Sequence, residues 1–131
     1  MNADYYKSEY PNSDITGQII ACAMEIHSFL GPGLLEKIYE EALAHELSLR
    51  NIRFERQKAI TLIYKGKEIG DHRIDFVVED QVILELKAVD KIVPVHEAQL
   101  LTYLKILDKR VGLLINFNVE KIAYGIKRMV L

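Results

Sequence analysis

One cysteine in 131 residues, Cys22, rules out an internal disulfide. A chain of this length can bury an adequate core without one. Proline and glycine are scarce, three and seven residues, and the chain contains no repeat, low-complexity segment or internal linker. No apolar run approaches the roughly 20 residues needed to cross a bilayer. Residues 1–12 lack the apolar core of a signal peptide and read as an N-terminal arm, so a cytoplasmic location is expected. Nor does one charge dominate: 17 basic against 19 acidic residues, a formal net charge of -2, give no global signature of nucleic-acid binding. His72 and His96 have no Cys or His partner at the spacing of a zinc site. Gly31-Pro32-Gly33 lacks the Lys-Ser/Thr ending of a phosphate loop and precedes a helix without a leading strand, and no nucleophile elbow occurs. Nucleotide hydrolysis through such a loop and serine chemistry are thereby set aside.

The composition is that of an ordinary globular protein, half hydrophobic and about a quarter charged, and residues 13–131 are expected to form a single domain. The charge is unevenly spread. Residues 1–49 carry two basic and eight acidic side chains, and residues 50–131 carry fifteen and eleven. Any phosphate-facing surface is therefore expected on the C-terminal part, although the same asymmetry suits plain solvated surface. Ser13 or Asp14 can cap a first helix in which Ile15, Ile19, Cys22, Ala23, Ile26 and Leu30 recur at three- and four-residue spacing. Cys22 lies on that stripe and reads as a buried structural thiol. Gly31 to Gly33 end the helix, and a second is predicted over 34–50, with Leu35, Ile38, Ala42 and Leu49 inward and Asn51 as its stop. Glu36 would then enjoy the positive end of the helix dipole, with Tyr39 packed on the same face.

From Arg53 the apolar period changes to that of strands, with an edge strand over 54–64 and a turn at Lys65-Gly66-Lys67. A helix follows Pro94 over 95–107, burying Leu100, Leu101, Leu104 and Leu107 and stacking Gln99 and Tyr103 on one face. A buried strand over 111–117 and a last one over 126–130 complete the chain. A strand, a crossover helix and a strand imply parallel pairing of 82–87 with 111–117.

The densest information lies between Arg73 and Lys87. Ile74, Phe76, Val78, Val82, Leu84 and Leu86 would form one apolar face across a hairpin, with Glu79, Asp80 and Gln81 as its loop. That register sets Asp75 across from Glu85, with Lys87 on the same side; a two-residue loop would mix charged and apolar residues on each face. Opposed carboxylates repel. Either a hard divalent cation compensates, since magnesium and manganese take oxygen ligands, or Arg73, Asp75, Glu85 and Lys87 form exposed cross-strand ion pairs.

Asp75 on one strand and Glu85-Leu86-Lys87 on the next, in the order helix, three strands, helix, strand, resemble the restriction-endonuclease-like PD-(D/E)XK nuclease superfamily. Gly33, Glu36 and Tyr39, with the runs around Arg73 to Asp75, Glu97 to Tyr103, Leu114 to Asn118 and Gly125 to Arg128, more narrowly resemble its GxxExxY family. The resemblance implies an α/β fold with an αβββαβ core, a mixed sheet and an additional N-terminal helix. It further implies a metal-dependent nuclease acting on DNA or RNA with Mg2+ or Mn2+. Asp75, Glu85, the backbone carbonyl of Leu86 and Glu36 would be metal ligands, and Lys87 would activate water and stabilise the phosphate. Gln99, Tyr103, Tyr39 and Arg73 would position substrate, although Gln99 and Tyr103 equally suit a polar helix surface with one packed tyrosine. Ile74 stands where the superfamily name has proline. The other class of function open to such a chain is a catalytically inactive module binding nucleic acid or a protein partner. The small size and acidic balance suggest that a homodimer or accessory protein contributes grip.

Overall fold

A computed structural model gives the structure, which describes residues 12–131; the expected N-terminal arm lies outside them apart from Asn12. Helix α1 spans Ser13–Leu30 and α2 spans Glu36–Leu49. Three strands follow, β1 Phe54–Tyr64, β2 Lys67–Val78 and β3 Val82–Lys87. Helix α3 Pro94–Leu107, strand β4 Val111–Asn116, a 3-10 turn Ile122–Gly125 and strand β5 Ile126–Val130 complete the order. The five strands lie side by side in sequence order. Only β3 and β4 run parallel, Glu85 beside Leu114 and Lys87 beside Asn116, because α3 carries the chain back between them.

Each sheet face has its own core. Ile19, Cys22, Ala23 and Ile26 of α1 and Tyr39, Leu43 and Leu47 of α2 pack with Phe76, Val78, Val82, Leu84 and Leu86. On the opposite face Leu100, Tyr103 and Leu104 of α3 pack with Ile60, Ile74, Val77, Ile83 and Leu114. Covered on both faces, β4 is buried along its whole length, which is why Val111 to Ile115 reads as an unbroken apolar run apart from Gly112. Burial pushes the Cys22 thiol pKa up, as befits an unreactive core cysteine.

Several local expectations are corrected. Asn12, at φ 59°, occupies the N-cap of α1, so Ser13 and Asp14 sit inside the first turn. Helix α2 starts at Glu36 and buries Tyr39, Leu43 and Leu47, a strict four-residue stripe; Leu35, Ile38 and Leu49 are exposed. Ile74 does not continue the apolar face of Phe76 and Val78 but packs on the α3 side with Val77. The cause is a break in the ladder. Pairing of β2 with β3 runs from Val78–Val82 to Phe76–Leu84 and ends there. On the other side the β1–β2 register skips Gln57, which takes φ 54° opposite Asp75. The alternation of side chains is thus reset at Asp75.

Candidate active site

The break in the ladder is where the acidic residues meet. The predicted three-residue loop is present, Val78 pairing with Val82, and it carries Asp75 and Glu85 to the first position beyond the paired residues. Side chains there replace backbone partners. The Asp75 N–H donates to Glu85 Oε2 at 3.0 Å, and the Leu86 N–H donates to Asp75 Oδ2 at 2.8 Å. Each carboxyl is thereby fixed to the opposite strand by one oxygen. The remaining oxygens face different helices. Asp75 Oδ1 accepts a hydrogen bond from Gln57 at 3.3 Å on the α2 side, whereas Glu85 Oε1 lies 3.7 Å from His72 Nε2 on the α3 side.

Burial and mutual charge dominate the electrostatics. Glu85 is 3 % exposed. Burial, and then the charge of Asp75, push its pKa up to about 8, while the Asp75 N–H and Lys87 pull it back. Asp75 is also raised, chiefly by burial and then by the charge of Glu40, with the Leu86 N–H opposing. Both carboxyls are thus driven toward the protonated form, by burial and by neighbouring negative charge. Glu36, the first residue of α2, is raised by partial burial and then by Asp75, and lowered by Lys87. Asp75 and Lys87 therefore act on both Glu36 and Glu85. Glu36, Glu40, Gln57 and Asp75 line one surface hollow with Lys37.

The other predicted residues divide. Tyr103, 4 % exposed, turns its phenol toward the pair: burial and the charges of Glu85 and Asp75 push its pKa up to about 12, so it remains a donor. Gln99 is half-buried one turn earlier on α3. Arg73 is exposed and donates to the Gln57 carbonyl at 3.0 Å, bracing the irregular β1 backbone. Tyr39 is wholly buried and stacks on Phe117, centroids 4.5 Å apart. Its hydroxyl donates to the Gly31 carbonyl at 2.6 Å and accepts from the Leu34 N–H at 3.1 Å. With Gly33 at φ 96°, this clamp folds the loop that delivers Glu36 to the start of α2. Tyr39 thus acts on the site through the backbone and is too deep to touch substrate.

Gln57, Glu40, Arg56, Glu41 and, as a neighbour of the site, His72 escaped the sequence reading. Gln57 donates to Glu40 at 2.6 Å as well as to Asp75, and Arg56 pairs with Glu40 at 2.7 Å and Glu41 at 2.5 Å, tying α2 to β1. The turn at Lys65-Gly66 alone would set Gln57 across from Ile74; the bulge between Leu62 and Ile63 shifts the register by one and brings it opposite Asp75, whereas Glu40 is one helical turn past Glu36, so only the second signal was open to spacing. His72 had been weighed only as a zinc ligand. His96, weighed with it, accepts from the Val93 N–H at 3.1 Å and closes the start of α3.

A divalent cation fits this donor set. Magnesium takes one or two carboxylates and keeps several waters, and Asp75 and Glu85 each retain one oxygen not spent on a backbone N–H; because these two oxygens face different helices, sharing one ion requires a carboxyl to turn. Among the described residues no three His, Cys, Asp or Glu side chains come together as a metal-binding group, so the expected ligand Glu36 does not join Asp75 and Glu85 in one set.

A mixed sheet covered by helices on both faces, with an acidic pair and a lysine at its splayed centre, defines a restriction-endonuclease-like fold. The chain belongs to the PD-(D/E)XK nuclease superfamily, whose family model matches residues 13–129. A solved structure described as "Crystal structure of SSO0001" is similar in fold, with a TM-score of 0.56 and 23 % identity. The alignment covers 98 % of this chain and 60 % of that one, so this chain spans less than two thirds of its length. No curated protein matches the sequence. Among the described residues no helix is long and apolar enough to cross a membrane.

Proposed function

We propose that the protein is a nuclease that hydrolyses phosphodiester bonds of DNA or RNA with Mg2+ or Mn2+. The observation that carries this reading is the placement of Asp75 and Glu85 on facing strands, each held through one carboxyl oxygen to the backbone of the other strand, with burial and mutual charge opposing ionisation of Glu85. Two such groups at the centre of a sheet are costly unless a cation replaces the proton. Asp75, Glu85 and the Leu86 carbonyl would hold the ion, and Glu36, outside that set, would act through its charge from α2. When bound, it supplies Lewis acidity toward a phosphoryl oxygen.

The chain's own residues supply the rest. Lys87, whose charge acts on Glu36, Asp75 and Glu85, offers an ammonium that orients the attacking water and stabilises charge developing on the phosphate. It cannot ligate a cation in that form. The Tyr103 phenol, held protonated by burial and by the charges of Glu85 and Asp75, would offer a donor to substrate, and Gln99 one turn away would help position it. Burial of Glu85 excludes water from the back of the site and strengthens every charge within it.

The test is purified wild type against Lys87→Ala on single-stranded and duplex DNA and RNA, with manganese and with chelator. Lys87→Ala should lose most of the rate while binding metal nearly as well; Asp75→Ala should lose both. If every substrate survives wild type, or both proteins cut equally, the reading falls to a nuclease-fold module that binds without cutting. That module's affinity would depend on salt and not on these carboxylates.

A further inference from the structure

His72 is the unexplained group next to the site. Its Nε2 is buried and has no hydrogen-bond partner, which is costly for a polar atom unless a partner arrives. The imidazole is not loosely held. It stacks on Tyr103 with centroids 4.4 Å apart and planes 20° apart, in a slot between β2 and α3. The nearest acceptor is Glu85 Oε1 at 3.7 Å. That oxygen is the one Glu85 does not spend on the Asp75 N–H, so two polar atoms face each other across a gap, and they become donor and acceptor when Nε2 carries the proton and Glu85 is ionised. The gap exceeds a hydrogen bond by about half an ångström and is too narrow for a bridging water, which needs about 2.8 Å on each side.

We propose that His72 is a positioning residue of the cation site: when a divalent ion draws Glu85 into place, the His72 Nε2–H donates to Glu85 and fixes the carboxylate for that ion. The inference rests on the reading of Asp75 and Glu85 as cation ligands. Ligating carboxylates are themselves held by hydrogen bonds from surrounding groups, and removal of such a partner typically weakens metal affinity about 10- to 100-fold. Tyr103 sets the plane of the imidazole, and so joins α3 to the site through His72 as well as through its own phenol.

The experiment measures manganese affinity by calorimetry and by the paramagnetic signal of the free ion, together with the melting temperature in chelator, for wild type, His72→Phe and His72→Gln. Phenylalanine keeps a ring on Tyr103 and removes the donor; glutamine restores a donor without the ring. His72→Phe should bind manganese 10- to 100-fold more weakly while melting no lower than wild type in chelator, because an unsatisfied polar atom has been removed. His72→Gln should recover part of the affinity. Equal affinity in wild type and His72→Phe overturns the role of His72 while leaving the site intact. A wild type that binds no manganese overturns the cation reading itself. A His72→Phe protein that melts well below wild type and binds weakly, with no recovery in His72→Gln, assigns His72 to packing alone and overturns the proposal.

Discussion

If the Asp75–Glu85 pair is held together against its own charge, the metal-free protein should lose stability as pH rises toward 8. The Glu85 carboxyl has an ordinary pKa of 4.5 and rises to about 8 in the folded state. Between these values the native state holds a proton that the unfolded chain has released, so stability falls with increasing pH, by about 1.4 kcal/mol per unit for one proton. The stability is fully present below pH 4.5, is lost through this window, and levels off above pH 8. Over the whole window the loss is on the order of 5 kcal/mol, a large share of the 5–15 kcal/mol typical of a domain. Asp75 and Glu36 are raised as well and add to the slope in the same sense at its acidic end. Urea unfolding in chelator at half-unit steps from pH 5 to 9 measures the curve, and Glu85→Gln, which mimics the protonated acid, should flatten it and be the more stable protein at pH 8. A saturating cation should also flatten the wild-type curve by taking the place of the proton, and its affinity should weaken as pH falls below 8. A wild-type stability that is level from pH 5 to 8, or a slope that survives in Glu85→Gln, would refute the reasoning.

Asp75→Asn should abolish stabilisation by manganese and raise the chelator melting temperature at pH 8, because it removes the charge that opposes Glu85; thermal scans with and without metal check both. Tyr39→Phe keeps the stack on Phe117 but removes the hydroxyl between Gly31 and Leu34, which should cost about 1–3 kcal/mol and lower activity by loosening the start of α2, read by denaturant unfolding beside nuclease rates. Gly125→Ala would put a Cβ 2.1 Å from the Asn116 carbonyl oxygen; the turn must shift at the end of β4, and a loss of about 3 kcal/mol or more is expected in the same unfolding assay.

Much of the fold was legible because its signals are periodic. The alternation on either side of Glu79 to Gln81 fixed the hairpin register, and Pro94 together with the apolar run at Val111 fixed the parallel crossover. Asp75, Glu85 and Lys87 were legible for the same reason, since a period of two leaves charged residues in an apolar run conspicuous. What escaped was whatever depends on a break in that period. Ile74 followed the rule and yet packs on the other face, because the rule assumes an unbroken ladder and this one stops at Phe76. The buried stripe of α2 was misread because Leu35, Ile38 and Leu49 are as apolar as Leu43 and Leu47; only the docking angle on α1 and the sheet decides between them. His72 was invisible to spacing because its neighbours, Tyr103 and Glu85, come from α3 and β3.

The ladder break also explains how a stable sheet tolerates an acidic pair. In a regular antiparallel ladder, Asp75 and Glu85 would satisfy their backbones with each other and project two unsupported carboxyls side by side, a repulsive pair. Here the strands part, and the N–H groups of Asp75 and Leu86 turn to carboxyl oxygens instead. These two N–H groups keep partners by this exchange, and the carboxyls gain fixed orientation. Gln57 absorbs the matching irregularity on β1 with a left-handed backbone, a conformation worth on the order of 1 kcal/mol or more for a non-glycine residue. That residue is held over it by Glu40, Asp75 and Arg73. The strain and the raised carboxyl pKa values are therefore two sides of one construction: the sheet gives up regular pairing at one position and obtains there a rigid, buried pair of oxygens whose charge a cation is suited to balance.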